Sequence, residues 1–599
     1  MMSLFDFLLL VVASLILQAL TVSSSSHQSS SSTTTTTDYI PCTQLCDGGD
    51  VNYVLTATVR TMEMQLGNTT YTYRGRTYSN STSPNFMGPT MTVQPGQSLW
   101  IKLINNLTTP IGPFPPTAQD YWTMLQNPGE HIKYQRYKKR VSHPSKLKVD
   151  LPNMPHSFDR TNLHLHGLDV EVHMFDPVNT HNPHAPPVAV KPNECYCYKF
   201  NIPEHHPQGM YWYHPHLHGS TAVQLWSGML GVLYVESEGE EPTGKGGLHQ
   251  ELISYNVKNT QEFVIWDPAF QEVQNQPTHN LQVDEFLLGQ TTLSKIHPFL
   301  VNGEINPTFP TKVGEILHLR ALCATIENEN TFIVYPEGKE HLHWEEGDAA
   351  IPFWVIGSDG VMYRKPKKKN IIVMSGGQRE EILLRFDKPG RYVISQQGIQ
   401  GMQFFDMRGH PHDQILATIV VTAVNADEEG DGDGDVGDGE DIHSILPTVP
   451  IEDMEFTPGY KEDESIKAED IAGAETIVFS MGANFDQVPF PQYYVNGRSF
   501  DPNVIRFRAQ PGEAREYTLI NANHNAHPFH IHVNRFQIKE MGSELSTEKY
   551  PVLKSVLDYD PDIWRDTVMV PPNGRTRIWV QFKVRNMPSQ VDIKRTSRT

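Results

Sequence analysis

Tyr211-Trp-Tyr-His214-Pro-His216-Leu-His218-Gly219 decides how the rest of the chain is read. Two histidines stand at i and i+2 in a segment rich in aromatic and β-forming residues. On a strand such a pair points to one face, with Cα atoms about 7 Å apart. Neutral imidazole is the commonest protein metal ligand and suits copper, zinc and iron alike. A solitary His-x-His is a weak signal, because most are surface or core histidines. Here Asn162-Leu-His164-Leu-His166-Gly167 lies upstream and His527-Pro-Phe-His530-Ile-His532 far downstream. A centre built from all three pairs requires a fold that brings distant parts of the chain together.

The 599 residues exceed what one core holds and fit roughly three domains. Forty-four prolines and 42 glycines imply many turns and short strands, hence mostly β structure. With 38% apolar residues and a mean hydropathy of -0.42, a soluble mature protein is expected. The net charge of -21 argues against a nucleic-acid partner, since phosphate binding needs basic patches. Solubility is the simpler reading of that acidity.

Phe5 to Leu20 (FDFLLLVVASLILQAL) is too short for an ordinary span and reads as the apolar region of a secretory signal, residues 1-22. The absence of Lys or Arg before it leaves an uncleaved anchor as the alternative. Residues 23-38 form a Ser/Thr-rich tether that cannot build a core. Sequons at Asn68, Asn80 and Asn106 agree with a secretory route and a glycoprotein. Secretion permits disulfides, and Cys195 and Cys197 share one strand face if Glu194 to Tyr198 is extended. Cys42 and Cys46 are candidate partners, with connectivity open. The fifth cysteine, Cys323, makes the number odd, so at least one thiol stays free or pairs between chains.

From Tyr53 the grammar is strand, turn, strand: Tyr53 to Val59, a short strand between Gly88-Pro89 and Pro95-Gly96, then the alternating Leu99 to Asn105. The first unit spans 39-240 and carries the first two histidine pairs, each expected on a strand. Gly228 to Val235 reads as its closing strand. The second unit spans 245-425; its own pairs, His341/His343 and His410/His412, read as loop histidines. Residues 426-470 are a linker, with nine acidic residues among Asp427 to Asp441. Asp431-x-Asp433-x-Asp435 resembles a calcium loop, but Val436 and Ile442 stand where Gly and Glu are needed, so self-repelling linker is the better reading. The third unit spans 471-599. Its Val495-Asn-Gly497 echoes Val301-Asn-Gly303, and Pro511-Gly512 echoes Pro95-Gly96. These echoes make the three units weak repeats of one β-sandwich.

At this point the sequence resembles the multicopper oxidases, laccase-like enzymes of three cupredoxin domains. The resemblance runs from about Tyr53 to Phe582. It rests on Leu163-His-Leu-His-Gly167, Trp212-Tyr-His-Pro-His216 with Gly219-Ser220, His527-Pro-Phe-His530-Ile-His532, and Trp564-Arg-Asp-Thr-Val-Met-Val-Pro-Pro-Asn-Gly574. It implies an all-β fold of three Greek-key β-sandwiches. It also implies copper, with His164 and His530 on a type 2 ion and His166, His214, His216 and His532 on a type 3 pair. His527 is then a type 1 ligand. Expected partners are dioxygen and small reducing substrates (phenols, aromatic amines or metal ions) in a secreted monomer without stable membrane insertion. Asp169 and Glu171, just past His166, are candidates for proton relay, set against a plainer reading as exposed strand carboxylates.

One motif departs from the family. Its His-Cys-His, with another His a few residues on, supplies two type 3 ligands, the type 1 thiolate and the second type 1 imidazole. This chain has no Cys after Cys323 and no His after His532, so the type 1 site is incomplete and the third sandwich reads as truncated. The intact Trp564 to Gly574 favours an end mis-assigned in gene prediction over a splice form or a true loss. Two other readings compete: a catalytically incomplete copper-binding glycoprotein of the same fold, and a zinc hydrolase with three histidine ligands and an open water site. The Pro and Gly contexts fit copper oxidases better than the latter.

Overall fold

The computed structural model describes residues 46, 51–66, 69–79, 86–107, 158–170, 189–237, 247–268, 270–272, 280–283, 298–326, 329–340, 350–397, 414–423, 445–460, 465–482, 492–498, 507–523, 526–548 and 553–582. Alternation of apolar and polar residues builds its strands. In Ser98–Asn105, Leu99, Ile101 and Leu103 are buried while the residues between them are partly exposed. Ile316–Cys323, by contrast, is buried along its whole length, because it lies in the middle of its sheet and is covered on both faces.

Each sandwich has its own core. The first gathers Leu55, Leu99, Ile101, Leu165, Tyr213 and Leu233. The second holds Phe263, Leu319, Phe332, Phe353 and Ile382. The third holds Ile477, Leu519, Phe529, Ile538 and Ile578. Burial of each such side chain stabilises by about 1.5–3 kcal/mol, so each sandwich carries its own driving force.

Each domain pairs two sheets. In the first domain a six-stranded sheet runs Phe270–Glu272, Asn280–Val283, Thr69–Ser79, Tyr53–Leu66, Ser98–Asn105, Cys195–Asn201. Facing it, a four-stranded sheet runs Met91–Val93, Gly231–Val235, Gly209–His214, His164–His166. The second domain has six strands against five. The third has six against the two-stranded His527–His530 and Thr567–Val570, among the described residues. This is the all-β, three-sandwich architecture expected from the sequence.

The expected internal repeat is visible in detail. In the second domain Asn302, at φ 55°, accepts the Val264 N–H on Oδ1 at 2.9 Å and donates Nδ2 to the Glu262 carbonyl at 2.8 Å. In the third, Asn496, at φ 52°, does the same with Val478 N–H at 2.8 Å and the Thr476 carbonyl at 3.2 Å. Asn suits this place because it tolerates the left-handed conformation while its side chain satisfies backbone groups nearby.

Three features differ from the sequence reading. A helix, Thr221–Ser227, precedes the closing strand, which begins only at Gly231. The second histidine pair is split: His214 ends its strand, and Pro215, lacking an N–H, places His216 beyond the ladder. The two strands Phe270–Glu272 and Asn280–Val283, from the segment assigned to the second domain, extend the first domain's sheet, Asn280 pairing in parallel with Thr72. The signal region, the tether, Asn68, Asn80, Cys42, Glu171, the pairs at 341/343 and 410/412, the 427–441 run and residues 583–599 lie outside the described residues.

Cys46 is bonded to Cys197 across 151 residues, Cys195 is also disulfide-bonded, and Cys323 is a buried free thiol. Closing so long a loop removes much entropy from the unfolded chain. Replacing Cys46 and Cys197 together by Ser is expected to cost about 2–5 kcal/mol. Equilibrium unfolding in urea checks this, with reductant expected to shift the wild-type curve the same way and the variant less.

Candidate metal centre

The strand His164–His166 pairs antiparallel with Gly209–His214, setting His164 opposite His214. The strand His527–His530 pairs with Thr567–Val570, setting His530 opposite Thr567. The two domains meet so that these histidines face each other. His164 and His532 have ring centroids 4.4 Å apart, His164 and His216 5.0 Å, and His216 and His532 5.2 Å. His166 stacks on His530 at 3.8 Å with 17° between planes. His164, His530 and His532 have ligand atoms close enough to share one ion, as do His164, His166 and His214. All six rings are buried.

Tautomers follow from the hydrogen bonds. Nδ1 of His214 donates to the Pro215 carbonyl at 2.9 Å, and Nδ1 of His530 to the Asp566 carbonyl at 2.8 Å. Each ring then carries its lone pair on Nε2, and among the described residues neither Nε2 has a hydrogen-bond partner. A carbonyl on one nitrogen and an open lone pair on the other is the arrangement of a metal-ligating histidine. His206 makes the contrast: its Nδ1 donates to the Pro207 carbonyl, but its Nε2 accepts the Asp169 N–H at 3.0 Å and is used up.

Burial is the main force on these rings. It drives His214 down to about 3 and His216 to about 4, and holds His164, His166 and His532 well below the ordinary histidine range, with neighbouring imidazoles adding to it. The rings are therefore neutral, as ligation requires.

His527 belongs to the same strand but does not join the cluster. Its ring stacks on Phe479 at 4.8 Å, and its Nδ1 donates to the Pro528 carbonyl at 2.7 Å. Asp169 forms an ion pair with Arg535 at 2.7 Å, and Arg535 also donates to the Gly167 carbonyl at 2.8 Å. The acidic group that does reach the rings is Asp566, with Oδ1 3.5 Å from His530 Nδ1 and 3.7 Å from His166 Nε2. Asp566 lies in the quoted Trp564 to Gly574 stretch, yet nothing in that stretch shows its target. Its partner Arg379 comes from the second domain, from a segment with no recognisable motif. Gly167, at φ 89°, makes room for this pair: a Cβ there would lie 2.4 Å from Arg379 Nη2 and 2.7 Å from Asp566 Oδ2.

Comparison with known proteins agrees with this geometry. Two family models described as multicopper oxidase match residues 139–240 and 472–588. The multicopper oxidase mco of Staphylococcus aureus is 22% identical over 512 residues, covering 84% of this chain and 80% of its own. The iron transport multicopper oxidase FET3 of Kluyveromyces lactis is 23% identical over 480 residues, covering 75% and 67%. Among solved structures, the 2F4 variant of the McoA multicopper oxidase from Aquifex aeolicus superposes with a TM-score of 0.56 at 18% identity, covering 89% of this chain and 92% of that one. With matching models at both histidine-bearing ends, relatives aligned along most of its length and the same fold, the comparisons all indicate the multicopper oxidase family, whose members are copper-dependent oxidoreductases.

Proposed function

We propose that this protein is a secreted oxidase coupling one-electron oxidation of phenols, aromatic amines or metal ions to the reduction of dioxygen to water. The observation that carries the reading is the buried cluster of six imidazoles from two domains, with Nε2 of His214 and His530 left without hydrogen-bond partners among the described residues. Such atoms are costly to bury unless a cation meets them. Copper suits an all-imidazole donor set held on strands and on the turns just past their ends. By family resemblance His164 and His530 hold a type 2 ion, His166, His214, His216 and His532 a type 3 pair, and His527 contributes to a type 1 site. Copper bound there supplies one-electron redox chemistry, with several ions storing electrons close together.

The chain's own residues keep His164, His166, His214, His216 and His532 neutral, fix the tautomers of His214 and His530 through the Pro215 and Asp566 carbonyls, and bury the cluster. Asp169 and Glu171 are proposed to pass protons toward the cluster, Asp169 from its place beside Arg535. The Cys46–Cys197 bond supports an oxidising, extracellular setting, together with the Phe5 to Leu20 stretch. No helix among the described residues is long and apolar enough to cross a membrane. Metal ions as substrates gain support from the iron-transport name of the Kluyveromyces lactis relative.

A second reading rests on a specific observation: residues 583–599 contain neither His nor Cys, the residue types needed to complete the type 1 site. On that reading the protein binds copper in the histidine cluster without turning over. Copper per chain, blue colour and oxygen uptake with a phenol or ferrous ion separate the two. The oxidase reading expects all three. Copper without colour or uptake selects the second reading, and absence of bound copper removes both.

Two quantitative outcomes follow. His164→Ala and His530→Ala are each expected to lose the type 2 electron paramagnetic resonance signal, while His527→Ala retains it. For the metal-free protein, folded His214 and His216 resist protonation while their unfolded counterparts take up protons near pH 6.5. Stability is therefore full above that pH and falls as pH drops toward 4, by about 3 kcal/mol per ring. Urea unfolding from pH 7 to 4 is expected to show this decline, reduced in a His214→Gln/His216→Gln variant; equal slopes would refute it.

A further inference from the structure

The middle domain supplies none of the histidines, yet it reaches the centre. Arg379 opens the strand Arg379–Arg385 of that domain and is only 1% exposed. Its guanidinium grips Asp566 with two bonds, Nη1 to Oδ1 at 2.8 Å and Nη2 to Oδ2 at 2.7 Å. Two further donors are placed as well: Nε reaches the Met210 carbonyl of the first domain at 3.3 Å, and Nη1 the Gly377 carbonyl at 2.9 Å. The middle domain adds a second hold. Asp359, in the turn after Phe353–Ser358, accepts the Arg379 N–H on Oδ1 at 3.1 Å. Its Oδ2 accepts the N–H groups of Asp566 and Thr567 at 3.3 and 3.2 Å.

Asp566 is itself grouped with His166 and His530 as a candidate metal site. It is badly suited to be a ligand, because Oδ1 already accepts Arg379 Nη1 and the Thr567 hydroxyl at 2.8 Å, and Oδ2 accepts Arg379 Nη2. What the carboxylate can do is orient. Its Oδ1 and the Thr567 hydroxyl stand at the edges of the stacked His166 and His530 rings, the hydroxyl 3.5 Å from His166 Nε2 and 3.2 Å from His530 Nδ1. His166 comes from the first domain and His530 from the third.

We propose that Arg379 is a positioning residue for the copper centre: by clamping Asp566 it sets the ring orientations of His166 and His530 across the seam between the first and third domains. The bidentate fork matters, since it fixes the carboxylate plane as a single charge cannot. This inference rests on the copper reading above.

The test uses the full-length protein with cupric ion as the probe. Arg379→Lys keeps the charge and loses the fork, and Arg379→Gln/Asp566→Asn removes both charges. Arg320→Lys is the control, because Arg320 is another buried inter-domain arginine, paired with Glu381 at 2.9 Å and with Glu236 and lying over Tyr234. Thermal melting, copper affinity and the paramagnetic resonance spectrum of bound copper are read for each. Both Arg379 variants are expected to melt near the control, to bind copper about 10–100-fold more weakly, and to give altered hyperfine splitting. The control is expected to keep wild-type affinity and spectrum. Wild-type affinity and spectrum in the Arg379 variants would overturn the proposal. So would equal copper loss in the control, or Arg379 variants that all fail to fold while the control folds. If the wild type itself binds no copper, it is the copper reading that fails.

Discussion

Six imidazoles from two domains share one buried space, and most of the structure answers to that constraint. Polar rings are costly to bury unless their nitrogens are partnered, so their burial must be enforced from outside. The enforcement comes from the strand pairs beneath them, from the Pro215 and Asp566 carbonyls that fix tautomers, and from charged arginines whose fields reach the seam. Arg535 ties the third domain to Asp169 and Gly167 of the first, and Tyr211 receives both arginines on its ring, each 5.7 Å from the centroid. The tyrosine hydroxyl in turn donates to the Gly360 carbonyl of the second domain at 3.0 Å. Three domains thus meet on one aromatic residue lying three positions before His214.

Much of this was legible in the chain. The His-x-His pairs, the alternating Leu99 to Asn105 and the Asn-Gly echoes each encode a local rule: a period of two, a left-handed turn, a ligand type. The candidate partnership between the Cys195/Cys197 pair and the early cysteines was likewise visible, and Cys46 bonds to Cys197. What escaped has a common cause. Arg379 and Asp359 are single polar residues whose importance exists only once the middle domain is docked against the other two. The helix Thr221–Ser227 escaped because seven residues with Thr221 and Val223 carry too little periodicity to announce themselves. Asp169 was legible as an acid near the cluster, but its commitment to Arg535, 366 residues away, was not.

Electrostatics between domains follow the same plan away from the centre. The basic strand Val361–Lys369 meets the acidic stretch before Trp564, Lys367 pairing with Asp560 and Lys369 with Asp558. These pairs are partly exposed and each contributes little alone. Their placement matters more, since they fasten the second and third domains beside the strand that carries Arg565 and leads into Asp566.

The strand Asn280–Val283, laid parallel on Thr69–Ser79, has a consequence for synthesis on the ribosome. Chain growth runs from the amino end, so the four earlier strands of the first domain's six-stranded sheet emerge with that flank bare, its backbone donors and acceptors exposed as a template for other chains. Only when about 200 further residues have been made does the chain deliver its own cover. The first domain is thus finished by its successor, and a nascent chain halted between the two carries an open edge ready to pair with a stranger.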